Sequence, residues 1–96
     1  MHIREFQDLI RRTYYERDHA RGIETNYLWL TEEIGELAEA VRKRDRSGMI
    51  EEMADVIAWL STIASLNGID LEDAALLKYG KGCPRCHAIP CACAPH

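Results

Sequence analysis

Four carboxylates with regular spacing are the residues of this 96-residue chain whose types first suggest chemistry. They form two pairs whose members lie three residues apart, Glu33 with Glu36 and Glu52 with Asp55. On an α-helix such residues are neighbours on one face, so each pair can direct both carboxylates to one place. Four carboxylates in one place repel each other unless a cation lies between them, and Mg²⁺ prefers oxygen ligands of this kind. Because Mg²⁺ also binds water and phosphate, the pattern indicates phosphoryl or pyrophosphoryl chemistry.

The same four carboxylates also fit a solvated helix face, because glutamate is common in helices. Three details favour the metal site. No Lys or Arg lies between Glu32 and Glu39, so the usual ion pairs along a helix are missing there. Gly35 and Ala54 lie inside the two pairs and leave room for a backbone or a ligand. Asp55 is a poorer helix former than glutamate in the middle of a helix.

A second cluster contains all the cysteines in the pattern C-x2-C-x4-C-x-C, at Cys83, Cys86, Cys91 and Cys93. In a reducing compartment, four thiols this close in sequence are typical of a tetrahedral Zn²⁺ site rather than of disulfides. Four thiolates fill the coordination shell of zinc, so such a site would be structural. Redox-active or free thiols are the alternative interpretation.

Helices are the elements expected to position these residues. Apolar residues recur at helical spacing through residue 79, and the prolines all lie later, at Pro84, Pro90 and Pro95. We predict four helices, separated by Gly22, by Ser47-Gly48 and by Asn67-Gly68. Thr25 and Asp70 are the expected N-caps of the second and fourth helices. No segment alternates with a period of two, so the sequence predicts an all-α domain over residues 1–79 and an irregular Cys-rich tail over residues 80–96.

Two apolar stripes predict how the carboxylates are brought together. The second helix carries Leu30, Ile34, Leu37 and Val41, and the third carries Met49, Met53, Val56, Ile57, Leu60 and Ala64. If these stripes pack in antiparallel fashion, both carboxylate pairs lie at one edge of the core. A core of about 80 residues is marginal, and the two tryptophans exceed what one thin bundle needs. We therefore expect the chain to self-associate.

Composition and charge exclude several classes of protein. The chain is 47% hydrophobic and 29% charged, which is typical of a globular domain. Its net charge of -4 argues against a protein that binds nucleic acid over its whole surface, and the positive charge of Lys81 and Arg85 in the tail lacks accompanying aromatic residues. No apolar run approaches the roughly 20 residues of a membrane span, and the polar start lacks a signal-peptide core. A cytoplasmic protein that binds neither membrane nor nucleic acid is expected.

The carboxylate segments resemble those of the MazG-like all-α nucleoside triphosphate pyrophosphohydrolases. EEIGELAEA at residues 32–40 and EEMADVI at residues 51–57 are similar to the signature of that family, E-x-x-E followed by a variable spacer and E-x-x-D. Residues 69–78 resemble the helix that follows, and the whole resemblance covers roughly residues 25–79. It implies a four-helix bundle that assembles as a homodimer or homotetramer.

The resemblance also implies a function. Family members hydrolyse a nucleoside triphosphate at the α–β bond to a monophosphate and pyrophosphate, and we expect this chain to clear unwanted nucleotides in this way. The residues that carry over as ligands of Mg²⁺ or Mn²⁺ and as catalytic groups are Glu33, Glu36, Glu52 and Asp55. One of these carboxylates, or a water that it orients, would start the in-line attack.

Substrate contacts are implied by the same resemblance. Lys78 matches a position that contacts phosphates, and Trp59 matches a position where an aromatic residue faces the base. Family members often carry Asn or Arg one turn after that lysine, whereas this chain has only Lys81 as a substitute. Further base contacts are expected from the N-terminal helix of a second chain, where the candidates are Tyr14, Tyr15 and His19.

Two alternative functions remain open from the sequence. A phosphoribosyl-ATP pyrophosphohydrolase would share the carboxylates, although Gly35 and residues 69–72 favour the MazG-like form. A non-enzymatic helical adaptor with a zinc-binding tail would leave the acidic residues as solvated surface. Titration of Mg²⁺ with a non-hydrolysable nucleotide distinguishes an adaptor from both enzymes, since only an enzyme links metal to nucleotide binding.

Overall fold

Four helices make up the domain in a computed structural model, which describes residues 1–95. They are α1 (Ile3–Arg21), α2 (Ile23–Arg42), α3 (Arg46–Leu66) and α4 (Leu71–Tyr79). No strand occurs within these 95 residues, and the part of the tail that is described consists of turns and bends. The predicted all-α fold with an irregular Cys-rich tail is confirmed. Residue 96, the end of the predicted tail, lies outside the described residues.

The α1–α2 junction is tighter than the sequence predicted. Gly22 alone separates the helices, with a positive φ of 90° that favours glycine. The side chain of Asn26 is fully buried and donates hydrogen bonds to the main-chain oxygens of Asp18 and Gly22, both at 2.7 Å. The prediction of Thr25 as the N-cap was wrong, because α2 already starts at Ile23, directly after Gly22. Asn26 holds this junction together from inside α2 by pairing with the two main-chain oxygens.

The α2–α3 hairpin turns at residues 43–45, earlier than the predicted break at Ser47-Gly48. Asp45 caps α3 by accepting a hydrogen bond of 3.0 Å from the backbone N–H of Gly48. Ser47 and Gly48 therefore lie in the first turn of the helix. A Cβ on Gly48 would lie 2.5 Å from Oδ2 of Asp45, so a larger residue would displace the capping carboxylate. The short link makes α2 and α3 antiparallel neighbours.

Polar contacts attach α4 to α1. Asp70 caps α4 as predicted, accepting a hydrogen bond of 2.8 Å from the N–H of Asp73. Arg4 of α1 pairs with Asp70 at 2.9 Å and with Glu72 at 3.1 Å. Buried Gln7 donates to the carbonyl of Ile69 and accepts from the N–H of Leu71. These contacts hold α4 on the α1 side of the bundle.

The apolar core of a single chain is small. In the described part of the chain, the buried hydrophobic residues are Leu30, Ala40 and Ala64. Members of both predicted stripes are instead about half exposed, including Ile34 at 49% and Met53 at 52%. The stripes thus extend beyond the contact between α2 and α3. No helix among residues 1–95 has both the length and the apolar character needed to cross a membrane.

Candidate functional site

The α2–α3 hairpin brings three of the four predicted carboxylates together. Glu33 and Glu36 project from α2 and Glu52 from α3, and one carboxylate oxygen of each lies within 4.8 Å of the other two. Glu33 and Glu52 are half-buried, whereas Glu36 is exposed. We call these residues the carboxylate triad. Their spacing of three residues on α2 and their position on antiparallel helices produce the convergence that the sequence predicted.

Among the described residues, the carboxylate triad has no positively charged partner. Oε2 of Glu33 and Oε2 of Glu52 are buried, and neither has a hydrogen-bond partner within residues 1–95. No ion pair found within residues 1–95 includes a member of the triad. A buried carboxylate oxygen without a partner is costly, and a bound cation would satisfy both oxygens. The two oxygens without partners and the all-oxygen donor set therefore fit a hard divalent cation such as Mg²⁺.

Titration of Glu33 reflects the same excess of negative charge. Burial raises the pKa of Glu33 to about 7, and the neighbouring carboxylates of Glu52, Glu36 and Asp55 raise it as well. Each neighbour disfavours the charged form of Glu33 because like charges repel. A divalent cation in contact with the triad would reverse this effect and lower the pKa.

Asp55 stands apart from the triad. It lies one turn after Glu52 on α3 and is exposed, and it is not one of the three residues whose oxygens converge. It lines a cavity of about 290 Å³ on the side of the bundle where α1, α2 and α3 meet. Its negative charge nevertheless raises the pKa of Glu33, so it lies near enough to act on the triad. Asp55 thus connects the triad to the cavity.

Two tryptophans form an aromatic wall of this cavity. The rings of Trp29 and Trp59 meet edge to face, with centroids 5.4 Å apart and an angle of 66°. The guanidinium carbon of Arg21 lies 4.9 Å from the centroid of Trp29 and 5.3 Å from that of Trp59. Such cation–π contacts order the arginine side chain against both rings. We call Trp29, Trp59 and Arg21 the aromatic wall.

A buried network of hydrogen bonds holds Arg21 of the aromatic wall in place. Asp18 is 5% exposed and accepts hydrogen bonds from Oγ1 of Thr62 at 2.9 Å and from the guanidinium of Arg21 at 3.0 Å. Arg21 also donates to Oδ1 of Asn26 at 2.8 Å. Sequence reasoning missed this network. Its signal was Asp18 itself, because Ile10, Tyr14 and Asp18 are spaced four residues apart, and helical spacing favours a hydrophobic residue at that position.

The two lysines predicted to contact phosphates lie outside the α2–α3 hairpin that carries the triad. Lys78 is exposed on α4, which packs on α1, and its ammonium lies 5.5 Å from the ring centroid of Tyr79. Lys81 is exposed in the tail. Neither lysine forms an ion pair with the carboxylate triad within the described chain. The roles of both lysines stay predictions.

The aromatic residues of α1 have different positions. Tyr14 lines the cavity of its own chain, alongside the aromatic wall. Tyr15 and His19 stack on each other on the helix surface, with ring centroids 5.6 Å apart. Only Tyr14 among the three therefore lies where it can contact a ligand bound in the cavity of the same chain.

The four cysteines form a second group of metal-binding residues, separate in sequence from the triad. Their four sulfur atoms all lie within 4.8 Å of one another. The backbone N–H groups of Ala92 and Ala88 lower the pKa of the Cys86 thiol to about 6, because they donate hydrogen bonds that stabilise its thiolate. Hydrogen bonds with the neighbouring thiols raise the pKa of Cys93 to about 12.

The sequence matches the model of a known protein family. The family model described as the MazG nucleotide pyrophosphohydrolase domain matches residues 21–87. The match covers more than half of the chain and includes both carboxylate pairs, the aromatic wall and α4. No curated protein matches the chain.

Proposed function

The chain belongs to the MazG nucleotide pyrophosphohydrolase family, and we propose that it hydrolyses a nucleoside triphosphate at the α–β bond to a nucleoside monophosphate and pyrophosphate. The observation that carries this proposal is the carboxylate triad with its two buried oxygens that lack partners. A solvated acidic surface would expose these oxygens to water. The half-burial of Glu33 and Glu52 therefore argues against the non-enzymatic adaptor.

Glu33, Glu36 and Glu52 would hold the divalent cation, Mg²⁺ or Mn²⁺. When bound, the cation neutralises phosphate charge and makes nearby water more acidic. Glu33 and Glu36 are three residues apart on one helix, so the backbone of α2 fixes their separation before any ligand arrives. Glu52 contributes from α3, and the Asp45 cap sets where that helix begins. The site is thereby assembled in advance, which lowers the cost of ordering it on binding.

Asp55 would act at the substrate side of the triad. It is exposed, it lines the cavity, and its charge acts on Glu33. A nucleotide whose base occupied the cavity would bring its phosphates past this residue. We assign Asp55 to complete the metal site there and to orient the attacking water. The triad and Asp55 together then account for both predicted carboxylate pairs.

The cavity would hold the nucleobase. Its volume of about 290 Å³ lies at the small end of the range for ligand pockets, and the aromatic wall offers π-faces for stacking. Arg21 adds donors for base or phosphate oxygens and is held in place by Asp18 and Asn26. Trp59 thus keeps its predicted role, and we add Trp29 and Arg21 to it. The buried polar network holds Arg21 in one position, so only a base with an acceptor within reach can pair with the remaining donors of Arg21.

Assembly into a homodimer or homotetramer completes the proposal. The exposed apolar surface of α2 and α3 includes Ile34, Val41, Met53 and Leu60, each 41–52% exposed. Exposed apolar side chains on two neighbouring helices are typical of a protein interface, and three buried hydrophobic residues make a small core for a stable domain. A nucleotide-clearing enzyme would act on the cytoplasmic nucleotide pool, and that location stays a prediction.

Pyrophosphate release tests the function. The wild type is incubated with a panel of ribo- and deoxyribonucleoside triphosphates and Mg²⁺, and pyrophosphate is converted to phosphate and measured. We expect activity on at least one nucleotide, and Glu52→Gln to reduce kcat/KM on the order of 100-fold. Glu51→Gln is the matched control, because Glu51 is the exposed neighbour outside the triad. Equal activity of the wild type and Glu52→Gln would contradict the proposal. So would cleavage of the nucleotide to a nucleoside diphosphate and inorganic phosphate.

A further inference from the structure

The cysteine cluster has the dimensions of a tetrahedral metal site. The sulfur of Cys83 lies 3.7 Å from that of Cys93 and 3.6 Å from that of Cys91. Zinc–thiolate bonds of about 2.3 Å in a regular tetrahedron separate neighbouring sulfurs by about 3.8 Å. A disulfide requires about 2.05 Å, and one sulfur cannot bond two partners. The equal spacing of Cys83 from two other cysteines therefore fits a shared ion better than it fits a disulfide.

The backbone around the cysteines is folded to present their sulfurs. The N–H of His87 donates to the carbonyl of Cys83 at 2.7 Å, and His87 has a positive φ of 58°. This closes a tight turn around Cys83 and Cys86. The N–H of Ala92 donates to Sγ of Cys86 at 3.3 Å. Backbone N–H groups directed at sulfur are the usual outer-shell support of a thiolate that binds a metal.

Nothing else within the described tail explains its ordered shape. From residue 80 to residue 95 there is no helix or strand, and Ile89 is 84% exposed. The loop nevertheless closes on itself, since the N–H of Cys83 bonds the carbonyl of Ala88 at 3.3 Å and a Cβ on Gly82 would meet Ile89 at 2.6 Å. A segment this short cannot bury enough apolar surface to offset its conformational entropy. A metal ion supplies the missing free energy in small segments of this kind.

We propose that the chain binds one Zn²⁺ as a closed site of four thiolates, from Cys83, Cys86, Cys91 and Cys93. The ion orders residues 83–93 against one another after α4. Four protein ligands leave zinc no open position for water or substrate, so the site is structural and separate from the carboxylate triad. Zinc binding releases the protons of those cysteines that are still thiols, because only thiolates coordinate the ion. Iron is the other metal that takes four thiolates in this geometry.

Metal analysis of the full chain tests the site. The protein is expressed with zinc and iron both supplied, purified without chelator, and measured by plasma mass spectrometry. We expect one zinc per chain, and loss of that zinc in Cys91→Ser. Glu33→Gln is the matched control and should keep one zinc, since it alters only the triad. Iron in place of zinc, no metal, or zinc lost in Glu33→Gln would overturn the proposal.

Three further measurements keep the test valid whatever the folding of the cysteine variant. Cobalt added to the zinc-free protein should give the charge-transfer absorption of cobalt bound to thiolate, and thiol titration in denaturant should find four free thiols per chain. Fewer than four thiols would indicate disulfides and refute the site. Trypsin cleavage after Arg85, which lies between two of the cysteines, should be about tenfold slower with zinc than after chelation. An unchanged cleavage rate would show that no ion orders the tail.

Discussion

Glu33→Gln is the substitution for which the structure makes the sharpest prediction. Glutamine keeps the size of the side chain and removes its negative charge. Glu33 is half-buried, its Oε2 has no hydrogen-bond partner, and burial together with three neighbouring carboxylates raises its pKa to about 7. The substitution should therefore stabilise the metal-free protein while it removes the metal site. A residue that is costly to stability in this way is typical of a functional site.

The magnitude follows from proton linkage. The unfolded chain loses the Glu33 proton near the ordinary pKa of 4.5, whereas the folded chain keeps it up to about 7. The folded state thus binds more protons between these values, and its stability falls as the pH rises through this window. At about 1.4 kcal/mol per pKa unit the upper bound is about 3.5 kcal/mol, and solvent screening at a partly exposed site reduces this to roughly 1 kcal/mol. For a domain of this size that is about 4–8 °C in Tm.

Thermal unfolding followed by circular dichroism measures the effect. Wild type and Glu33→Gln are compared in metal-free buffer from pH 5 to pH 8 at one protein concentration. The two proteins should melt together at pH 5, and Glu33→Gln should melt about 4–8 °C higher at pH 8. Added Mg²⁺ should then stabilise the wild type more than the variant, because only the wild type keeps the full triad.

The control is Glu32→Gln, which alters the exposed neighbour on the same helix. Its difference in Tm from the wild type should not change with pH. The reasoning is refuted if Glu33→Gln lowers Tm by the same amount at pH 5 and pH 8, since Glu33 would then act through packing and not through charge.

Three other substitutions test the cavity, the junction and the surface. Trp59→Ala should lower kcat/KM about 5- to 150-fold through lost stacking of about 1–3 kcal/mol. Tyr27→Ala should leave kcat/KM unchanged, because Tyr27 is exposed on α2 and does not line the cavity; equal effects would contradict the base pocket. Asn26→Ala should lower the free energy of unfolding in urea by about 2 kcal/mol, because it leaves buried groups of the α1–α2 junction unpaired. Thr25→Ala should lower it far less, because α2 starts directly after Gly22 and Thr25 does not cap it. Ile34→Glu should reduce the mass measured by light scattering to that of one chain, and an unchanged oligomer would exclude this face as the interface.

The helices and the convergence of carboxylates were predictable, because both depend on local spacing. Helical periodicity predicted four helices, and a spacing of three residues placed Glu33 beside Glu36 on one face. The exact helix starts were not predictable from spacing. They depend on which side chain satisfies the free backbone groups, Asp45 for α3 and Asn26 for the α1–α2 junction.

Contacts between distant parts of the chain could not be predicted from the sequence. The hydrogen bond between Thr62 and Asp18 links α3 to α1, and no local pattern indicates such a partner. The position of Asp55 outside the triad likewise depends on how far α3 is rotated against α2. An apolar stripe does not show where its residues are buried. A helix face that packs within the chain and one that packs on another chain have the same apolar spacing. Ile34 belongs to the predicted stripe of α2 and Met53 to that of α3, and both are about half exposed.

Calorimetric titration of Mg²⁺ with a nucleotide analogue that resists α–β hydrolysis tests the central claim most directly. It measures the link between metal and nucleotide without turnover, and the analogue is chosen from the nucleotide that the activity panel selects. The wild type and Glu32→Gln should bind the analogue only when Mg²⁺ is present, and Glu33→Gln should lose this dependence together with measurable binding. Nucleotide binding that is independent of Mg²⁺, or equal in Glu33→Gln and the wild type, would contradict a catalytic metal site at the carboxylate triad.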